Sequence, residues 1–367
     1  MDDKIQDKFL HLVRYSIGAD DTPPEISGKG EWGQVFMLAA GQALTGVCAM
    51  GIERMPDCMR PPLLETMGWV MATVTIERDN KAANGNCVKL AEALESSGTK
   101  SCLLKGQGVA MYYPNPLRRI TGDIDLWLPG GHRKVMRMVH NMFPAIGARY
   151  HHVDFPVFPN QSVELHFTPS WMSAPWANWR LQRWFAAMAG EQFENKVDLP
   201  GDAGEVAVPT MRFNMVYLLL HIYRHFFDEG VGLRQLMDYH FLMTAFCGKA
   251  GDDERSAVVA DLRRLGLAGF AGSVMFVLGE LFHTPADLMI VPPSGKRGRF
   301  VLSEVLKAGN FGLLNSSIDR SGGKSLRYYA SKLKYKLHFL SRYPSETVWG
   351  LVFWVWQWVW RKMHHYV

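Results

Sequence analysis

The chain contains little cysteine, with 5 residues among 367. The cysteines are scattered, and no two of them form a C-x-x-C pair: Cys48, Cys58, Cys87, Cys102 and Cys247. An odd number without paired spacing predicts neither a zinc knuckle nor a disulfide framework. Free thiols are typical of a reducing compartment, so we expect a cytoplasmic protein.

The sequence also lacks an uncharged apolar run of the roughly 20 residues that a membrane-crossing helix needs. Its first residues, MDDKIQDKFLHLV, begin with acidic residues and do not have the apolar core of a signal peptide. The Trp-rich run from Val348 to Trp360 has 13 residues and is followed by Arg361 and Lys362. Three interpretations stay open for this run: a peripheral helix in the membrane interface, a buried terminal helix, or a contact with a second subunit.

No charge of one sign dominates, since the formal net charge is +5 with 20% charged and 48% hydrophobic residues. This composition excludes a disordered chain and predicts an ample hydrophobic core. The mild basic excess is compatible with a nucleotide or another polyanionic substrate but does not identify one. The length suits two domains, or one large domain with additions.

The strongest pattern in the chain lies between residues 101 and 128, where a Lys105-Gly106 turn is followed by Gly122-Asp123-Ile124-Asp125. Side chains alternate along a strand, so Asp123 and Asp125 emerge on one face and the apolar residues on the other. Two adjacent carboxylates repel unless a cation lies between them, and oxygen pairs of this kind suit Mg²⁺. A D-x-D pair alone can also be a solvated strand edge.

A glycine turn that opens a helix presents backbone N–H groups to an anion, and here such a turn precedes the two aspartates. The segment resembles a family of predicted nucleotidyltransferases in the DNA polymerase beta superfamily, and less closely the AbiEii-type toxin nucleotidyltransferases. These residues carry the resemblance: Lys105, Gly106, Tyr112 or Tyr113, Pro114, Pro116, Arg119, Gly122, Asp123 and Asp125. The chain departs from the superfamily signature in having Lys-Gly where many members have Gly-Gly or Gly-Ser.

The resemblance implies a third carboxylate on a later strand. The segment Ser162 to Phe167 alternates, with Glu164 and His166 on one face. We therefore expect Glu164 to complete the acidic set, with Asp154 as its competitor. His166 is a second-rank candidate for the substrate pocket, and the neighbouring pair at positions 151 and 152 is predicted to lie in a loop or at the surface.

A later helix carries His221 and His225 at the i, i+4 spacing of a helical metal pair, without the glutamate that hydrolytic zinc chemistry needs. The resemblance extends to this segment and implies that His225, Arg234 and Asp238 line the acceptor or nucleotide pocket. Without the resemblance, Arg234 and Asp238 stand one helical turn apart and could form a surface ion pair worth under about 1 kcal/mol.

Hydrophobic spacing predicts an α+β protein with N-terminal helices and an all-α C-terminal domain, and the resemblance implies that a small mixed β-sheet nucleotidyltransferase core lies between them. The predicted regions are helical residues 1–98, a catalytic core at 99–170, a helical substrate domain at 171–322 and a basic, Trp-rich tail at 323–367. The N-terminal helices are expected to pack behind the sheet. We predict a helix break at Asn84-Gly85-Asn86 and a loop from Pro200 to Pro209.

The predicted reaction moves an NMP from an NTP to a hydroxyl-bearing acceptor and releases pyrophosphate. Two Mg²⁺ ions, with Mn²⁺ as the alternative, would bind Asp123, Asp125 and Glu164. Phosphate contacts would come from Lys105 and the N–H groups of Gly106 and Gln107, with Arg119 offsetting charge in the transition state. The acceptor stays open between a small molecule, RNA and a protein. The alternatives are a toxin-type tRNA nucleotidyltransferase and a non-catalytic nucleotide-binding scaffold with a membrane- or partner-binding tail.

Overall fold

The computed structural model describes residues 3–308 and 326–366. At its centre lies a four-stranded sheet in the order β1-β2-β4-β3. Its strands are β1 (Cys102–Leu104), β2 (Ile124–Trp127), β3 (His152–Asp154) and β4 (Val163–His166). Strands β2 and β4 run parallel, while β1 and β3 are antiparallel to their neighbours. The predicted α+β class with a small mixed sheet is confirmed.

The two faces of β2 follow the predicted alternation. Ile124, Leu126 and Leu128 enter a core shared with helix α6 (Gly131–Met142). Asp125 and Trp127 point to the opposite face, where the Trp127 ring contacts the rings of three phenylalanines, stacked on Phe213 and tilted against Phe185 and Phe193. This face therefore carries both apolar and polar side chains, and Asp125 is buried in a setting where an unpaired charge would be costly.

Four helices precede the sheet: α1 (Asp3–Ser16), α2 (Glu31–Gly41), α3 (Thr45–Arg54) and α4 (Leu63–Ser96). The apolar stripe predicted from Val35 to Met50 is divided between α2 and α3 by residues 42–44, where Ala43 has a φ of 55°. Only part of this region lies behind the sheet. Residues of α4 such as Val88 and Leu90 join the sheet's core, whereas α1 to α3 belong to the core of the helical part.

The predicted helix break at Asn84-Gly85-Asn86 is wrong, because α4 continues through it as one helix of 34 residues. The asparagine side chains that favour a turn in isolation are occupied by tertiary partners. Asn84 Nδ2 donates to the Pro200 carbonyl at 3.0 Å, and its Oδ1 accepts from Gln107 at 2.5 Å. Asn80 Nδ2 likewise donates to the Arg119 carbonyl at 2.8 Å. These bonds favour a continuous helix over a local turn.

The remaining described helices after β1 cover the sheet and build a helical body behind it. They are α5 (Gly106–Ala110), α7 (Pro175–Gln192), α8 (Met211–Asp228), α9 (Leu233–Lys249), α10 (Asp252–Arg264), α11 (Ala268–Phe282), α12 (Gly295–Ala308), α13 (Leu326–His338) and α14 (Pro344–Met363). Short 3-10 turns lie at Asp57–Met59, Pro116–Arg118 and Ala286–Leu288. The boundary predicted between residues 322 and 323 lies outside the described residues.

The loop predicted from Pro200 to Pro209 is partly wrong, since it contains half of a hairpin. Strands β5 (Lys196–Leu199) and β6 (Gly204–Ala207) pair antiparallel, with Val197 opposite Val206. Apolar residues alternate on both sides of Pro200-Gly201, a signal that the glycine and proline content obscured. The hairpin places Leu199 and Val206 in the core of the main sheet.

Helix α14 contains the Trp-rich run. One side of this helix packs against the segment that follows β4, where Phe353 stacks on Trp171 with ring centroids 3.9 Å apart. The other side is exposed, as Val355 (62%) and Trp358 (57%) show. Its contact with a membrane or a second subunit stays a prediction. Among the described residues no single helix is long and apolar enough to cross a bilayer, and one pair, α10 with α11, reaches that length and composition only together across a 119° bend.

Candidate active site

A cavity of about 1140 Å³ opens beside the sheet, between its polar edge and helices α8, α9, α13 and α14. It is large enough to hold a nucleotide together with part of a second molecule. Ten of the eleven predicted site residues line it: Lys105, Gly106, Arg119, Asp123, Asp125, Glu164, His166, His225, Arg234 and Asp238. These ten residues come from two of the four predicted regions, 99–170 and 171–322.

Asp125 and Glu164 lie directly opposite each other on the parallel strands β2 and β4. Asp125 is buried, and both of its oxygens have partners: Lys105 Nζ at 2.9 Å and His166 Nε2 at 2.8 Å. Burial alone would raise the pKa of Asp125, but the charge of Lys105 and the hydrogen bond from His166 outweigh it and hold the pKa well below its usual range. Asp125 is therefore ionised at neutral pH.

Asp123 lies at the edge of the cavity, where the chain enters β2. Its pKa is raised by loss of solvation and then by the like charges of Asp125 and Glu164. This direction is opposite to that of Asp125, although only one residue separates the two carboxylates. A cation near the cavity edge would relieve the repulsion, so the acidic set favours binding of positive charge.

The Lys105-Gly106 turn has an unusual backbone. Lys105 has a φ of 53° and Gly106 a φ of 46°, and such a conformation is strained for a residue with a Cβ. The turn leads β1 directly into α5 and aims the Lys105 ammonium at Asp125. The Gln107 side chain points away from the cavity, because it is buried and donates to Asn80 and Asn84 of α4. Gln107 can therefore make the predicted phosphate contact only through its backbone N–H.

The interpretation of Arg234 and Asp238 as a surface ion pair is wrong. Asp238 accepts two hydrogen bonds from the buried Arg119 guanidinium, at 2.7 and 2.8 Å, and a third from the Tyr113 hydroxyl at 2.6 Å. Arg234 instead donates to the carbonyls of residues 120 and 121, at 3.3 and 3.4 Å. Burial lowers the pKa of Arg234 to about 10, with the charge of Arg119 acting in the same direction.

The prediction that His151 and His152 lie in a loop or at the surface is wrong for His152, which belongs to β3, whereas His151 lies in a bend just before that strand. Both are buried, and they join His166 in a cluster whose ring centroids are 4.3 to 5.2 Å apart. Glu164 Oε2 lies 3.3 Å from His152 Nδ1 and 3.3 Å from His166 Nε2. Burial lowers the pKa of His152 to about 2, assisted by the charge of His166. Adjacent histidines carry no spacing signal, so sequence periodicity missed them.

The opposite wall of the cavity holds the helical pair His221 and His225, whose ring centroids are 4.3 Å apart. Loss of solvation and the charge of His225 hold the pKa of His221 well below its usual value. Further wall residues come from the tail and were not predicted. Lys332 and Lys336 lie 3.5 and 2.9 Å from Asp228, at the end of α8. Both lysines are far from Asp228 in the sequence, so no local pattern could predict these ion pairs.

The carboxylates that face each other on β2 and β4, the strained glycine turn and the Lys105 ammonium lie together at one side of the sheet. The chain belongs to a family described as uncharacterised nucleotidyltransferase, whose pattern matches residues 28–283. No curated protein matches the chain. One solved structure that resembles it is an antigenic nucleotidyltransferase-like protein from Paracoccidioides brasiliensis, with 14% identity and a TM-score of 0.31 over 59% of this chain and 95% of that one.

Proposed function

We propose that this nucleotidyltransferase moves the NMP of an NTP to a hydroxyl group of an acceptor, with release of pyrophosphate and with a requirement for divalent cations. Family membership supports nucleotidyl transfer and an NTP substrate. One observation carries the finer proposal. Asp125 and Glu164 are held in register on parallel strands, with Asp123 at the edge of the same cavity.

The donor set fits divalent ions. Asp123, Asp125 and Glu164 supply carboxylate oxygens, and the pKa of Asp123 is raised by loss of solvation and then by the like charges of the other two, a repulsion that a cation would reduce. Mg²⁺ is the proposed ion, with two ions per site and Mn²⁺ as the alternative. When bound, such ions polarise phosphate oxygens and lower the pKa of an acceptor hydroxyl.

The chain's own groups would position the triphosphate. Lys105 can exchange its contact with Asp125 for a phosphate oxygen, and the N–H groups of Gly106 and Gln107 lie in the same turn. The charge of Arg119 is already matched by the bidentate contact with Asp238. We therefore assign the task of offsetting negative charge in the transition state to Arg234, beside Gly122, and assign Arg119 to positioning.

The test is incubation of the protein with each α-labelled NTP and three acceptor sources: total tRNA, the protein itself and a small-molecule extract. Each reaction is run with Mg²⁺, with Mn²⁺ and with a chelator. We expect label transfer and pyrophosphate release that depend on the ion. Asp123→Asn should reduce turnover at least about 100-fold without changing the circular dichroism spectrum.

The matched control is Asp198→Asn, which removes an exposed aspartate of β5 that lies away from the cavity. It should retain the turnover of the unmodified protein. Wild-type turnover in Asp123→Asn would contradict the proposal. Transfer of label to tRNA alone would favour the toxin-type reaction, and binding of NTP without transfer to any acceptor would favour a scaffold.

A further inference from the structure

Three buried histidines lie beside the carboxylate pair, and the nucleotidyl transfer proposed above uses only one of their contacts, the hydrogen bond between His166 and Asp125. His151, His152 and His166 are 8%, 5% and 1% exposed, and they lie where the start of β3 meets the end of β4. Buried polar side chains in folded proteins almost always have hydrogen-bond partners, because an unpartnered one costs free energy. Such a cluster therefore requires an explanation.

Only three of the six nitrogens in these rings have a partner among the described residues. His151 Nε2 and His152 Nδ1 lie 3.0 Å apart, and His166 Nε2 faces Asp125 and Glu164. The three remaining nitrogens are buried and have no hydrogen-bond partner within the described parts of the chain: His151 Nδ1, His152 Nε2 and His166 Nδ1. A neutral imidazole has one N–H and one lone pair, so no choice of tautomers satisfies all three rings.

The spacing of the rings suits a single metal ion. One nitrogen from each ring lies within 4.8 Å of one nitrogen of both others, and Glu164 approaches two of the rings at 3.3 Å. Two ligands at roughly 2.1 Å from a tetrahedral ion are separated by roughly 3.4 Å, so small ring rotations suffice to reach this geometry. Imidazole nitrogens select transition-metal ions, whereas Mg²⁺ prefers oxygen ligands.

We propose that His151, His152 and His166, with Glu164 as a carboxylate ligand, form a binding site for a divalent transition-metal ion of the Zn²⁺ type. The three histidines do not belong to the oxygen-rich set around Asp123. Glu164 is the one residue proposed for both sites. The ion would take one nitrogen of each ring on the side that faces Glu164, and it would fix the Glu164 carboxylate beside Asp125. Metal binding at this site does not require that the protein transfers nucleotides.

The test uses the full-length protein stripped of metal with a chelator and titrated with Co²⁺, which gives intense visible absorption when nitrogen ligands hold it in four- or five-fold coordination. We expect one Co²⁺ per chain, displaced by an equal concentration of Zn²⁺ but not by a large excess of Mg²⁺. Displacement by Mg²⁺ at equal concentration, or an absorption spectrum like that of Co²⁺ in water, would overturn the proposal. Neither outcome depends on a variant folding correctly.

Variants then locate the ion. His152→Ala should weaken Co²⁺ affinity at least about 10-fold. If circular dichroism shows that His152→Ala is misfolded, His151→Gln is tested in its place. His365→Ala, which removes an exposed histidine of the tail, is the control and should bind as the unmodified chain does. Unchanged affinity in both cluster variants would overturn the assignment. Asp123→Asn should keep the Co²⁺ spectrum while losing nucleotide transfer, so failure of either proposal is recognised separately.

Discussion

Removing the carboxylate of Asp238 should destabilise the protein strongly, because it is the only described carboxylate that accepts from the Arg119 guanidinium. The two side chains are 6% and 11% exposed, so little water can replace the lost partner. Breaking a buried ion pair from one side costs about 3–5 kcal/mol, mostly from the charge that is left behind. We expect a loss of this size for Asp238→Ala.

Two further variants separate charge from packing. Asp238→Asn keeps one acceptor for the guanidinium and should cost less, about 1.5–3 kcal/mol. The double variant Arg119→Met, Asp238→Leu removes both charges and should recover most of the loss, although the Tyr113 hydroxyl then has no acceptor. The order of stability is therefore predicted as unmodified protein, double variant, Asp238→Asn and Asp238→Ala.

The measurement is urea unfolding followed by circular dichroism at pH 7. With a slope near 3 kcal/mol per molar urea, Asp238→Ala should lower the midpoint by roughly 1–1.7 M. A change below about 1 kcal/mol would mean that the pair behaves as a solvated surface contact, which refutes the reasoning. A double variant as unstable as Asp238→Ala would show that lost packing, not the unpaired charge, accounts for the effect.

Two other predictions concern positions away from the cavity. Gly46→Ala should cost about 1–3 kcal/mol of stability, because a Cβ there would lie 2.1 Å from the Arg118 carbonyl oxygen. Gly85→Ala within α4 places its Cβ where no described atom lies within 4 Å, and it should stabilise the protein by about 0.4–1 kcal/mol. Urea midpoints compare the two variants, and a loss of stability in Gly85→Ala would contradict the continuous helix. Burial lowers the pKa of His240 from 6.5 to about 4, so its neutral form stabilises the fold above pH 6.5, and about 2.5 kcal/mol of this is lost by pH 4.5. His240→Gln should therefore show a smaller fall in stability between pH 7 and pH 4.5 than the unmodified chain, and equal falls would be inconsistent with a buried neutral imidazole.

Sequence patterns predicted those parts of the site that lie on strands. A strand has a period of two, so the faces of Asp125 and Glu164 followed from their neighbours, and the resemblance supplied the pairing of the two strands. Burial patterns gave no equivalent information for His151 and His152. Their environment depends on β3 being only three residues long and on the contact between the Trp171 and His151 rings, and both are properties of the tertiary structure.

Local rules failed where distant groups decide the conformation. Asn84 and Gly85 favour a turn as isolated residues, but hydrogen bonds from residues more than 20 positions away hold them in a helix. The partner of Asp238 was missed for the same reason, since Arg119 precedes it by 119 positions. Helical spacing identifies neighbours on one helix and contains no information on contacts between segments.

Helix α4 connects both hydrophobic cores of the protein. Near its start Trp69 belongs to the core of the helical body, and near its end Val88 and Leu90 cover one face of the sheet. A fragment that begins at residue 99 would therefore expose Leu103 and Ile124 to water and would aggregate. In evolutionary terms the sheet is not a portable module: gene fusion or recombination could transfer it to another protein only together with the 34-residue helix that precedes it.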